Sequence, residues 1–493
     1  MSRRAAIAAA LALVAAAAAC SIALDPPIEP APAPGADASS ETGIPIDSGE
    51  AGSPDGGPVR CTGDFQCRSD NPCVTSSRCD LGTGRCVYEL CENDAGACTV
   101  DRCDPETNAC VDRVDLAATP IVKTFKIPTS KAFAQLRCGS PSRCVAMAYP
   151  YMFASLDDVV LAYGIADAHP AALPRVLAVD GLRAAGKPVR PTALVASGTR
   201  VYFVGEIQPD LSLPIGWIDV PSDPFATNLQ ARTFILPSIL SGTITALPGE
   251  GGDLILVVNA GANRQTYRVS TAGALVGAPR NGSGSARSVA TSGARVVLAE
   301  LGKDGVAIGL EPMPPFTSPV IDAGSIGFEA GAGSALAAQT YASDERGQVL
   351  VASAYGDDAG VQRVLLARAL SGGDGTKATG EPHADLATYA APPALARVVG
   401  PAVWTAPDLA VASALVDEPT QSQLAASVVH VATDGSLTVD PPRWVLEAAT
   451  AGPDGGVATN PTSATMLTAR GLVYWVWQRG ADTTVSVLAP SCQ

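Results

Sequence analysis

The sequence predicts an all-β chain whose larger part is a β-propeller of about seven blades. From about 118 to 493 no long helical periodicity occurs, and short apolar runs follow turn signals instead. One such run returns seven times, at steps of about 40 to 65 residues, a period suited to propeller blades. The 48 glycines and 40 prolines of this 493-residue chain supply the turns that many short strands require.

The runs are "RCVAMAY" at 143–149, "TRVYFVGE" at 199–206, "GDLILVVN" at 252–259, "ARVVLAE" at 294–300, "GQVLVASAY" at 347–355, "PDLAVASALV" at 407–416 and "GLVYWVWQ" at 471–478. Most follow a shorter run, such as "TALVAS" or "RSVATS", and precede a third, such as "IGWIDV" or "TVSVLAP". A hairpin with a further strand is one meander that cannot bury both faces alone. Stacking meanders around a ring buries those faces and leaves only short edges. The alternatives are a pair of sandwiches or a β-solenoid, and the period is too long for a solenoid coil. Alternation in "VYWVWQ" puts Trp475 and Trp477 on one face of a strand and Tyr474 on the other. Both faces of an inner strand pack against neighbours, so these rings read as core rather than as a sugar-stacking platform.

The chain opens "MSRRAAIAAALALVAAAAACS". Arg3 and Arg4 precede an apolar run, Ala5 to Ala19, that is short for a membrane span and has the form of a secretory signal. Small residues lead directly to Cys20. This resembles the bacterial lipobox, with Ala17 in the usual leucine position. The resemblance implies lipidation at Cys20, and Ser21 in place of an aspartate implies forwarding to the outer membrane. The expected location is the bacterial cell envelope. Removing residues 1–19 makes the remainder two units more acidic than the full chain's −15.

Residues 24–59 hold eight prolines, seven acids and no base. Such a segment cannot bury a core and repels itself. Residues 20–59 thus read as a lipidated cysteine and an extended linker, reaching on the order of 100 Å at ~3.1 Å per residue.

Nine of the 13 cysteines lie between 61 and 110: Cys61, Cys67, Cys73, Cys79, Cys86, Cys91, Cys98, Cys103 and Cys110. "CVTSSRCDLGTGRCV" at 73–87 returns as "CTVDRCDPETNACV" at 98–111. Hydrophobic residues between these cysteines are few. Residues 60–115 therefore read as a module in which disulfides replace a core, each worth about 2–4 kcal/mol. Zinc is disfavoured because no C-x-x-C pair and no histidine occurs in the block. The block resembles small cysteine-rich repeats of exported bacterial surface proteins, a resemblance that covers about one tenth of the chain and specifies architecture, not activity. With Cys20 set aside as lipidated, three cysteines remain: Cys138, Cys144 and Cys492. Aligning "LRCGSPSRCVAMAY" with "ALVASGTRVYFVG" places Cys138 and Cys144 in facing strands across a turn, close enough to bond. Cys492 then pairs with the ninth cysteine of the module, or else with Cys138 or Cys144.

No G-x-S-x-G, H-E-x-x-H or P-loop spacing occurs, and no catalytic residue is assigned. The three histidines are far apart in sequence: His169 and His383 adjoin prolines in expected loops, and His430 sits in an alternating strand. Net charge opposes binding to nucleic acid. Loops after the second strand of each blade should gather on one rim. They carry Asp157 and Asp158, Glu206 and Asp210, Asn263 and Arg264, Asp304, Asp357 and Asp358, Asp417 and Glu418, and Arg479 and Asp482. A rim of carboxylates suits a basic partner or a calcium ion, although no calcium-loop spacing occurs and no cofactor is assigned. The expected function is a non-enzymatic, membrane-anchored envelope protein binding a protein or glycan at that rim. A glycan-active hydrolase or lyase and a structural subunit of an envelope assembly are the alternatives.

Overall fold

The computed structural model describes most residues between 61 and 492. It leaves aside 1–60 and a set of loop segments, the longest being 91–97, 128–135, 328–337, 371–382 and 448–460. From 317 to 401 only backbone is described. Of the two units of the chain, Met1–Gly56 lies outside the described residues, and the architecture below is that of Gly57–Gln493. The expected signal, the expected lipidation at Cys20 and the expected linker all lie outside the described residues.

This unit is an all-β propeller preceded by a disulfide-bearing region. Seven sheets of four to six strands succeed one another along the chain. Their first strands are Val145–Ala148, Ala193–Ser197, Thr243–Pro248, Arg287–Ser292, Ala338–Ser343, Val403–Ala406 and Pro461–Ala469. Each packs beside the next, and the last packs beside the first, so the sheets form a closed ring of blades. The second strands are apolar almost throughout because neighbouring blades cover both faces. Tyr151–Ser155 is buried at every position and Arg200–Val204 at all but its first. The turns between first and second strands are tight. Ala469 pairs with Leu472 across Arg470 and Gly471, both at positive φ (48° and 75°), as a two-residue hairpin turn requires.

The last blade is completed from the other end of the chain. Its first three strands are Pro461–Ala469, Leu472–Arg479 and Asp482–Leu488, and its fourth is Lys123–Ile127, with Phe125 opposite Val485. The alternating burial of that strand is what a sheet edge with one covered face needs. A core between blades seven and one includes Phe125, Tyr163, Met152, Tyr474 and Val485. Trp475 and Trp477 face the other way, into the core shared with blade six and Trp444. Further cores lie between blades one and two around Phe153 and Phe203, and between two and three around Tyr202 and Leu256. Burying one such side chain is worth about 1.5–3 kcal/mol, so the ring rests on its interblade faces.

The first apolar run is displaced from its expected place. "RCVAMAY" forms the first strand of blade one, and the second strand is Tyr151–Ser155. Cys138 and Cys144 consequently do not sit in facing strands. Cys138 precedes a short helical turn, Pro141–Cys144, Cys144 ends it, and a disulfide joins the two. The reason is the sequence "SPSRC": a proline starts a helical turn readily, and the strand begins only at Val145.

Two hairpins precede the ring, Val74–Asp80 with Arg85–Leu90 and Thr99–Asp104 with Ala109–Asp115. Cys79 stands opposite Cys86 and Cys103 opposite Cys110. Disulfides join Cys61 to Cys79 and Cys67 to Cys86. Cys61, Cys67 and Cys79, with Cys86 against them, make up the small core here, so staples do replace apolar side chains. The sulfurs of Cys61, Cys67 and Cys79 lie together, but all three are disulfide-bonded and so not thiolate ligands. Cys73 and Cys91 and the side chains of Cys103 and Cys110 are outside the description. Cys98 is bonded to Cys492, tying the start of the second hairpin to the end of the last blade.

Candidate functional site

In each blade the loop between second and third strands lies at the end of the sheet where the first strand begins. These loops therefore face the mouth of the inner ring. At that mouth a cleft of about 430 Å³ opens between blades one, two and three. Its walls include Cys138, Arg143, Thr192, Glu206, Ser241 and Thr243. Thr192 and Thr243 stand where first strands begin, Glu206 lies on a second-to-third loop, and Arg143 rides on the helical turn before blade one. Arg143, Glu206, Ser241 and Thr243 are exposed. The Thr192 hydroxyl lies 3.3 Å from the carbonyl of Val204 and 3.2 Å from that of Gly205, fixing the loop that carries Glu206. One cation, one carboxylate and several hydroxyls thus border a single opening.

The structure sorts the residues expected at the rim. Glu206 and Asp210 lie on the exposed loop between Arg200–Val204 and Leu213–Asp219. Asp210 accepts from the Ser212 amide at 3.0 Å, and the Ser212 hydroxyl and amide hold its carboxyl below the usual range. Asp417 ends the strand Leu409–Asp417. Arg479 ends Leu472–Arg479 with its guanidinium 5.2 Å from the Trp477 ring, and Asp482 begins the next strand, 2.9 Å from Lys126. Asp157, Asp158, Asp304, Asp357, Asp358 and Glu418 lie outside the described residues.

Arg264 is a correction. It belongs to the strand Asn263–Val269 and is 4% exposed, its guanidinium turned inward to Glu311. The loop in blade three is shorter than expected because Gly261, at φ 61°, closes a tight hairpin between Ala260 and Asn263. A second correction is His383, which opens the strand His383–Tyr389 instead of lying in a loop. His169 is buried, with the Ala171 amide donating to its Nδ1 at 3.1 Å. His430 Nε2 lies 3.0 Å from Asp440 Oδ2. Among the described residues, no three histidine or acidic side chains converge closely enough to share a cation.

Sequence reasoning missed Arg143, Thr192, Ser241 and Thr243. All four precede or open first strands, whereas the acids that mark a rim in the sequence lie in the loops after second strands. The signal was the alignment itself: Thr192 and Thr243 both stand at the entry to a first strand.

No protein-family model matches this chain, and no curated protein sequence does. Among solved structures, it is similar to the β-propeller domain of Nup133 from Vanderwaltozyma polyspora. That likeness is 8% identical, covers 74% of this chain and 97% of that one, and has a TM-score of 0.37. It is also similar to Raptor from Chaetomium thermophilum, at 10% identity and a TM-score of 0.37, covering 74% of this chain and 29% of that one. Likenesses this distant carry no argument about function, and the ring is defined by this chain's own strand pairing.

Proposed function

We propose that this chain is a non-enzymatic binding protein of the bacterial cell envelope, lipid-anchored at Cys20 and held off the membrane by its acidic linker. Its ligand, a protein segment or glycan, binds at the mouth of the ring. The observation that supports this reading is the polar cleft bordered by Arg143, Glu206, Ser241 and Thr243, of a size common for binding sites. Exposed groups of both charges and several hydroxyls at one opening suit hydrogen-bonded recognition better than burial of an apolar ligand.

The test has two parts. A photo-crosslinking amino acid at position 206 or 243, in cells, should capture one reproducible partner or glycan, while the same residue at exposed position 176 on the outer strand of blade one should not. Radiolabelled palmitate should enter the chain and be lost in Cys20→Ala. Equal capture at all three positions sinks the rim reading, and labelling that survives Cys20→Ala sinks the anchor.

A further inference from the structure

A second cleft, of about 760 Å³, lies on the opposite face of the ring. It is built where first strands turn into second strands in blades two and three, with Thr291 of blade four at its edge. Its outer wall comes from the cysteine-rich region, which contributes Arg85. Arg85 opens the strand Arg85–Leu90, whose Tyr88 phenol is pushed up in pKa by burial and by the nearby Asp223 carboxylate of the propeller. Arg85 thus lines the same cleft as residues of blades two, three and four.

Four charged side chains line the cleft, and two of them are already committed. Arg200 binds Asp219 through Nε at 2.8 Å, donates to the carbonyl of Thr271, and lies over the rings of Tyr202 and Trp217. Its charge and that of Asp219 cancel. Arg85 and Glu250 remain, one of each sign. Between them runs a turn at Gly249–Asp253 whose Gly251 and Gly252 have φ 67° and 88°. A β-carbon at Gly251 would meet nothing within 4 Å, so bare backbone faces open space there. Thr199 and Thr291 add hydroxyls, and no aromatic ring lines the cleft among the described residues.

We propose that this cleft binds a small zwitterion, an amino acid or short peptide with free ends, its carboxylate at Arg85 and its ammonium at Glu250. A lone anion would meet Glu250 and a lone cation Arg85, whereas a ligand carrying both charges satisfies the two walls together. The exposed peptide groups of the glycine turn suit the amides of such a ligand. A neutral sugar would find no ring to stack upon. The cysteine-rich region is then one wall of a binding site as well as a spacer.

The test is calorimetric titration of the full chain with triglycine, N-acetyl-triglycine and triglycine amide. Triglycine should bind, and each blocked form should bind about tenfold or more weakly, as loss of one charge pairing implies. Arg85→Ala should bind triglycine as weakly as wild type binds the amide, and should no longer distinguish triglycine from its amide. Glu250→Gln should do the same with respect to acetylation. Glu250 is exposed, so that variant keeps the test valid if Arg85→Ala disturbs the hairpin. No saturation with triglycine, equal binding of the blocked forms, or unaltered binding by both variants overturns the proposal. None of these outcomes bears on the mouth of the ring, which lies on the opposite face.

Discussion

Arg264 Nη2 lies 2.5 Å from Glu311 Oε2, a contact between third strands of blades three and four that is closed to solvent, with Glu311 fully buried. The Thr266 hydroxyl donates to the other carboxylate oxygen at 2.5 Å, and Arg280 Nε stands 3.8 Å from it. Gly282 makes this possible, because a β-carbon there would come 2.6 Å from Arg264 Nη2.

Removing Glu311 takes away the carboxylate that Arg264 and Arg280 share. Glu311→Ala leaves a buried guanidinium without its carboxylate and is expected to cost about 3–5 kcal/mol. Arg264→Met with Glu311→Leu together should cost much less, since neither charge is then left alone. Urea unfolding of the two variants measures both. If the single and double variants prove equally unstable, the pair does not act as a compensated charge. Gly282→Ala should fall between them, because Arg264 must shift to admit the methyl.

Ring closure rests on covalent and polar ties as well as on the strand Lys123–Ile127. Cys98 is bonded to Cys492, and Arg443 donates to the carbonyls of Cys492 and Ala117, each at 2.9 Å. Leu116, next in the chain, is buried in the core between blades seven and one. Cys98→Ser with Cys492→Ser should lower stability by about 2–5 kcal/mol, and Arg443→Ala by about 1–3 kcal/mol. The readout is thermal unfolding together with limited proteolysis near residue 120. A double serine variant that unfolds and is cleaved like wild type would falsify the clasp.

Much of this was legible in the sequence. Turn-bounded apolar runs marked the blades because a strand covered on both faces must be apolar at nearly every position, and Arg200–Val204 is such a strand. Alternation separated Tyr474 from Trp475 and Trp477 correctly, since a strand permits no other arrangement. The fourth strand of the last blade was not legible, because Lys123–Ile127 pairs with Asp482–Leu488 from the far end of the chain and nothing local encodes that partner. Arg264 was misplaced for a different reason. A charged residue beside a turn reads as exposed, and only the tertiary fold supplies the buried Glu311. The clefts were least visible of all, since Arg143 with Thr243 and Arg85 with Glu250 come to line one cleft each through tertiary geometry alone.

Trp475 is fully buried between blades six and seven. Trp475→Ala should open a cavity there and cost about 3–5 kcal/mol, with Trp475→Phe costing less. Denaturant unfolding of the two variants checks the order. Wild-type stability retained in Trp475→Ala would place the ring outside the core.

The buried tyrosines set an alkaline limit. Burial first, and then the Asp223 carboxylate, push the Tyr151 phenol up from 10.0 to about 12, and burial raises Tyr163, Tyr202 and Tyr267 as well. In each the folded state holds the proton more tightly than the unfolded state does. Stability is therefore intact below pH 10.0 and falls as pH rises from there through the folded value, about 12 for Tyr151. Unfolding free energy measured from pH 8 to 12 should be level at first and then decline, while phenolate absorbance lags behind that of the denatured chain. Tyr151→Phe should shallow the decline, because one proton difference is gone. A decline as steep in Tyr151→Phe as in wild type would move the alkaline sensitivity to the other buried phenols.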